Sequence, residues 1–146
     1  MKYLWSDAWL LEAIIYANKG GQGTLDRILV CADSINHSLI LEDELESGLA
    51  RLTAGGLISE KDGCFLPTEL LPRKLIRKIG ENTNKDFQTL ERFLQAEPRN
   101  PGKTARDPRN KLKYPGLSRN RLAEADKLAS KHYTQARKDL PDTGRK

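Results

Sequence analysis

Residues 41–65, LEDELESGLARLTAGGLISEKDGCF, constrain the fold more than any other stretch of the chain. Leu41, Leu45, Leu49 and Leu52 recur at the spacing of one helical face. Gly55 and Gly56 follow at once, where a helix ends in a residue that tolerates positive φ. Leu57 and Ile58 open an extended run, Asp62-Gly63 is a hairpin turn signal, and Cys64-Phe65-Leu66 returns. Helix, stop and hairpin in direct succession predict a mainly α fold that carries a small β-hairpin.

The flanking sequence supplies more helices. Ser6 or Asp7 can cap a helix running to about Asn18. Leu4, Ala8, Leu11 and Ile15 give it a buried stripe, and Trp5, Trp9, Ile14 and Tyr16 widen its apolar surface enough to pack on two sides. The glycines of 19–24, KGGQGT, follow a helix rather than a strand, and no Gly-Lys-Ser/Thr comes after them, so a plain turn outweighs a phosphate loop. Thr24 can cap a helix over Leu25–Ile35, closed by the turn-rich Ser34–Ser38. Leu39-Ile40-Leu41 can form a small strand ahead of the third helix. Beyond Leu66, Leu71, Leu75 and Ile79 mark a helix over about Pro72–Gly80. Thr83 with Asp86 opens another, which ends near Glu97. Ser118 caps a last helix from Arg119 to about Leu140.

The stretch from about Trp5 to Leu66 resembles a winged helix-turn-helix domain, close in layout to the multiple-antibiotic-resistance-regulator style of bacterial regulator. The leucine stripe ending at Leu52, then Thr53-Ala54-Gly55-Gly56-Leu57-Ile58, then Asp62-Gly63 carry the resemblance. It implies a second helix at Leu25–Ile35, a recognition helix at Glu42–Ala54 and a wing at Ile58–Leu66. The expected organisation is a winged helix-turn-helix domain (1–70) plus a C-terminal helical extension (71–97), a basic Pro/Gly-containing linker or arm (98–117), and a basic helix and tail (118–146). The same fold binds DNA, RNA or protein.

Charge separates these functions. Residues 1–70 carry 5 Lys/Arg against 11 Asp/Glu, a net of −6, and residues 71–146 carry 20 against 9, a net of +11. With the leucines turned inward, Asp43, Glu46, Ser47, Ala50, Arg51 and Ala54 are expected to face outward from the third helix. Its leading acids would meet a groove lined with phosphates, and only Arg51 and, on the wing, Lys61 are basic there. Lys103, Arg106, Arg109, Lys111, Lys113, Arg119 and Arg121 place the positive charge in the arm and last helix, with Tyr114 available to stack on a base. A merely solvated basic tail is the plain alternative. The acidic third helix, through Asp43, Glu46 and Ser47, can instead dock a basic partner or the chain's own basic arm.

Catalytic inventory is thin. His37 and His132 are the only histidines, and Cys31 and Cys64 the only cysteines. A Cys31–His37 pair is outweighed by a plain buried cysteine. Glu42, Asp43, Glu44 and Glu46 suit a helix dipole better than a metal, and no zinc spacing occurs. The chain therefore reads as non-enzymatic, with no cofactor and no metal. Its expected partners are DNA or RNA, a protein, or a second copy in a homodimer. No apolar run or leader is evident, so no membrane partner and a cytoplasmic location with reduced thiols are expected.

Overall fold

The computed structural model describes residues 3–80, 82–96 and 113–139. Among them are six helices, α1 (Trp5–Lys19), α2 (Leu25–Asn36), α3 (Glu42–Ala54), α4 (Arg73–Lys78), α5 (Thr83–Gln95) and α6 (Arg119–Asp139). Two antiparallel strands, β1 (Ile58–Lys61) and β2 (Cys64–Pro67), lie between α3 and α4. No helix among the described residues is long and apolar enough to cross a membrane.

The core is built around α1. Ala8, Leu10, Leu11, Ala13, Ile14, Ile15 and Ala17 are all buried, which a one-sided amphipathic helix would not allow. α2, α3, α5 and β2 pack against it. Gly48 lets α3 approach: a Cβ there would lie 2.7 Å from Leu10 Cδ2 and 3.2 Å from Asp7 Oδ1. One buried cluster joins Leu45, Leu49 and Leu52 of α3 to Leu90 and Leu94 of α5 and to Leu117, Ala125 and Ala129 around α6. The expected basic arm thus begins its last part inside the fold. Residues 98–112 lie outside the described residues, and 113–117 lead into α6.

Local chemistry explains the hairpin. Lys61 pairs with Cys64 across a two-residue loop, with Asp62 at φ 52° and Gly63 at φ 78°. Positive φ at both positions is the type I′ turn that matches strand twist. The strand expected at Leu39–Leu41 does not form. Leu39 is 72% exposed, and Leu41, 65% exposed, precedes α3 as its cap rather than joining the buried leucine stripe. The third partner of the hairpin is the segment before α2: Thr24 bridges Cys64, and Phe65 N–H donates to Gly23 O at 2.8 Å. Gly23 makes this approach possible, since a Cβ there would collide with the Phe65 carbonyl oxygen.

The helix ends refine the sequence expectations. Asp7 is the third residue of α1 and accepts from Leu4 N–H at 2.8 Å, so it closes the first turn from inside. Asn82, rather than Thr83, caps α5 by accepting from Lys85 N–H at 3.1 Å. Ser118 Oγ accepts from Arg121 N–H at 3.1 Å, as expected of a cap.

Candidate nucleic-acid interface

The outer surface of α3 differs from its helical-wheel projection. Asp43 and Ala54 are exposed, and Glu46 and Ala50 are half-buried. Ser47 and Arg51 are buried, which corrects their expected outward placement. Arg51 is 1% exposed and grips Asp7 with two bonds, Nε to Oδ2 at 2.7 Å and Nη2 to Oδ1 at 2.9 Å. A buried carboxylate on α1 demands a cation, and Arg51 is turned inward to supply it. Arg51 therefore offers no guanidinium to phosphate, and Ser47 offers no hydroxyl to a partner.

The C-terminal segment lies against the acidic half of the molecule. Lys113 Nζ stands 3.2 Å from Glu46 Oε1. Tyr114 donates its hydroxyl to Glu60 Oε1 at 2.7 Å, and its ring tilts against Phe65 at 5.8 Å between centroids. Burial and the Glu60 carboxylate push the Tyr114 phenol up to about 12. Arg121 Nη1 pairs with Glu60 Oε2 at 2.7 Å, its Nη2 donates to Gly63 O at 3.3 Å, and its guanidinium lies 5.2 Å over the Phe65 ring. Farther along α6, His132 Nε2 meets Asp26 Oδ2 at 2.9 Å. Burial alone would raise the Asp26 carboxyl, but hydrogen bonds from Thr24 and His132 prevail and hold it below its usual range. Tyr114, expected as a free stacking residue, is thus a packing residue, and Arg121, expected on nucleic acid, is spent on the hairpin.

The remaining sequence-derived candidates divide three ways. Lys103, Arg106, Arg109 and Lys111 lie outside the described residues. Lys113 is exposed but paired with Glu46. Lys61 and Arg119 are exposed and carry no ion pair among the described residues. Lys127 and Lys131 are also exposed, and at eight and twelve residues beyond Arg119 they continue one outward stripe of α6, about 18 Å long.

Four further cations lie outside the sequence-derived set. Arg73, Lys74, Arg77 and Lys78 of α4 are all exposed, and none has an ion pair among the described residues. Their signal is the run RKLIRK, where charges at i, i+1, i+4 and i+5 surround the half-buried Leu75 and Ile76. The apolar spacing of Leu71, Leu75 and Ile79 identifies the helix and says nothing of these charges.

Two other titratable groups are internal. Glu12 on α1 is fully buried, and neither carboxylate oxygen has a hydrogen-bond partner among the described residues. Asp86 on α5 accepts from Tyr16 Oη at 2.7 Å and from Gly80 N–H at 2.7 Å. Burial, reinforced by the Asp86 charge and only partly offset by the nearby Tyr16 hydroxyl, pushes the Glu12 carboxyl up to about 8. The Cys31 thiol is half-buried and raised by burial, with Arg27 and His132, not His37, beside it.

A scan against protein-family models finds no matching family, and searches of curated proteins and of solved structures return no match.

Proposed function

We propose that this chain is a non-enzymatic winged-helix protein, a transcriptional regulator or nucleic-acid-associated adaptor, that meets phosphates through its basic second half. The order α1–α2–α3–hairpin, with the segment before α2 bridging β2, supports the winged-helix reading. The observation that carries the phosphate reading is the division of cations on the last helix. Arg121 faces the molecule and is paired, whereas Arg119, Lys127 and Lys131 face solvent without carboxylate partners among the described residues. Lys61 and the four cations of α4 extend that unpaired set. Contacts of this kind bind the backbone without reading bases.

Fluorescence anisotropy with a labelled duplex and a labelled single strand, across a salt series, tests the reading on the full chain. The triple charge reversal Arg119→Glu, Lys127→Glu, Lys131→Glu is expected to weaken binding at least tenfold. It should also flatten the slope of log affinity against log salt by about 0.9 for each duplex phosphate no longer neutralised. The reading is abandoned if neither this variant nor reversal of all four α4 cations changes affinity. Truncation before α6 is a poor substitute, because Leu117, Ala125 and Ala129 belong to the core.

A second reading, docking of a basic protein on α3, is favoured by Lys113 on Glu46, with Arg121 on Glu60 of the following strand β1 beside it. These acids already receive cations from the chain's own C-terminal segment, as an autoinhibitory clamp would. Under this reading Asp43→Lys with Glu46→Lys abolishes partner binding and leaves nucleic-acid affinity no weaker.

A further inference from the structure

A pocket of about 490 Å³ opens between α1, the end of α2 and α5, away from the contacts between the C-terminal segment and the hairpin. Its floor is aromatic. Trp5 and Trp9 stack with ring centroids 5.7 Å apart and planes 5° from parallel. Trp9 is buried, and its indole N–H donates to Ala32 O at 2.7 Å, which pins the ring to α2. Trp5 rests on that fixed ring and is 50% exposed, a large apolar face left to water at the pocket mouth. Phe87 adds a third ring from α5. Polar groups stand around this floor. Asn36 and Gln88 are exposed, and their carboxamides have no hydrogen-bond partner among the described residues. Glu91, half-buried, is the one charged residue in the lining among the described residues.

We infer that this pocket binds a planar cationic nitrogen heteroaromatic, stacked on Trp5 with its charge met by Glu91. The volume falls in the range of small-molecule sites, which join apolar walls to a few placed polar groups. A flat ring extends the Trp5–Trp9 stack, and a cation gains most over an indole face. The Glu91 carboxylate accepts a ring-edge N–H, and the carboxamides can both donate and accept along the same edge. A phosphate-bearing or carboxylate-bearing ring would instead face Glu91, with no cation among the described lining residues to offset the repulsion. This ligand class is therefore the reverse of the polyanion proposed for α6, and the two sites stand independently.

The matched tricyclic probes 9-aminoacridine, a cation, and 9-anthracenecarboxylate, an anion, separate ring stacking from charge. Both are titrated into full-length protein freed of nucleic acid, by calorimetry and by intrinsic emission. The chain has two tryptophans, both in this pocket, so emission reports directly on the site. Saturable one-to-one binding of 9-aminoacridine is expected, at least tenfold tighter than the anion. Trp5→Ala should weaken it at least tenfold, and Trp5→Phe should restore most of that affinity. Glu91→Gln should narrow the preference for the cation to less than threefold. Thermal melts of each variant guard against loss of the fold, and sedimentation follows the oligomeric state. The inference is overturned if 9-aminoacridine fails to saturate, if the two probes bind equally well, or if Trp5→Ala binds like the parent. It is also overturned if the Trp5 face proves to be covered by a second copy of the chain.

Discussion

Asp7 and Glu12 sit five residues apart on α1, both fully buried, and they are handled in opposite ways. Asp7 meets Arg51 of α3 in a two-bond ion pair. Glu12 has no hydrogen-bonding partner on its carboxylate oxygens within bonding geometry among the described residues, and it shares its surroundings with Tyr16 and the Asp86 acid. One interface of α1 is therefore held by a two-bond charge pair, with only Arg51 Nη1 left without a partner among the described residues, whereas the other holds a carboxyl whose proton burial retains. Burial is the same in both cases; what differs is whether a cation lies within reach.

Removing one member of the two-bond pair should have the largest effect. Arg51→Met is expected to cost about 3–5 kcal/mol in chemical denaturation, because it leaves the buried Asp7 carboxyl without its partner. Replacing both, as Asp7→Leu with Arg51→Met, should recover most of that stability. If the double variant is no better than the single, charge burial is not the cause.

Glu12 supplies the opposite behaviour. Its folded-state pKa of about 8 lies above the ordinary value of 4.5, so the folded state retains a proton that the unfolded chain releases. Stability should therefore be greatest below about pH 4.5 as far as this group is concerned. It should fall by up to about 1.4 kcal/mol per pH unit as pH rises toward about 8, and level off above. Glu12→Gln should flatten that decline, which urea denaturation on either side of neutrality would reveal.

Smaller effects are expected at the C-terminal segment, whose pairs are less buried. Arg121→Ala removes the Glu60 pair and the contact with the Phe65 ring, and should cost about 1–2 kcal/mol in urea denaturation. Lys113→Ala, at a side chain 80% exposed, should cost less than about 0.5 kcal/mol, and that cost should vanish in high salt. A larger effect at Lys113 than at Arg121 would reverse the ordering by burial.

The same contrast separates what the chain declares locally from what only the fold reveals. Apolar spacing locates α2 and α3 closely, and Asp62-Gly63 names the hairpin turn, because these signals are local. Arg51 departs from its expected position because a leucine stripe defines the middle of a buried face and leaves its flank undecided. Asp7, one of two acids in a mostly apolar helix, hints at a hidden cation, but its partner lies 44 residues away. Tyr114 and Arg121 meet Glu60 and Phe65 across roughly fifty to sixty residues, which no periodicity reports. The Trp5–Phe87 pocket is equally hidden, since α5 comes to α1 only through the tertiary fold. The exposed charges of α4, by contrast, are legible in RKLIRK itself.

The position of α6 has a consequence in time. The partners described for its side chains, from Asp26 to Gly63 and Phe65, all precede it by more than about fifty residues of chain. During synthesis, α1, α2, α3 and the hairpin leave the ribosome first and can assemble before α6 exists. Until then Phe65 lacks its final cover, and the acids at positions 26 and 60 lack the His132 and Arg121 side chains that later meet them. Closing that face makes contacts of high sequence separation, up to 106 residues between Asp26 and His132. A newly made chain would pass through an interval in which its acidic surface is open to a chaperone or a basic partner, and completion of α6 would end it.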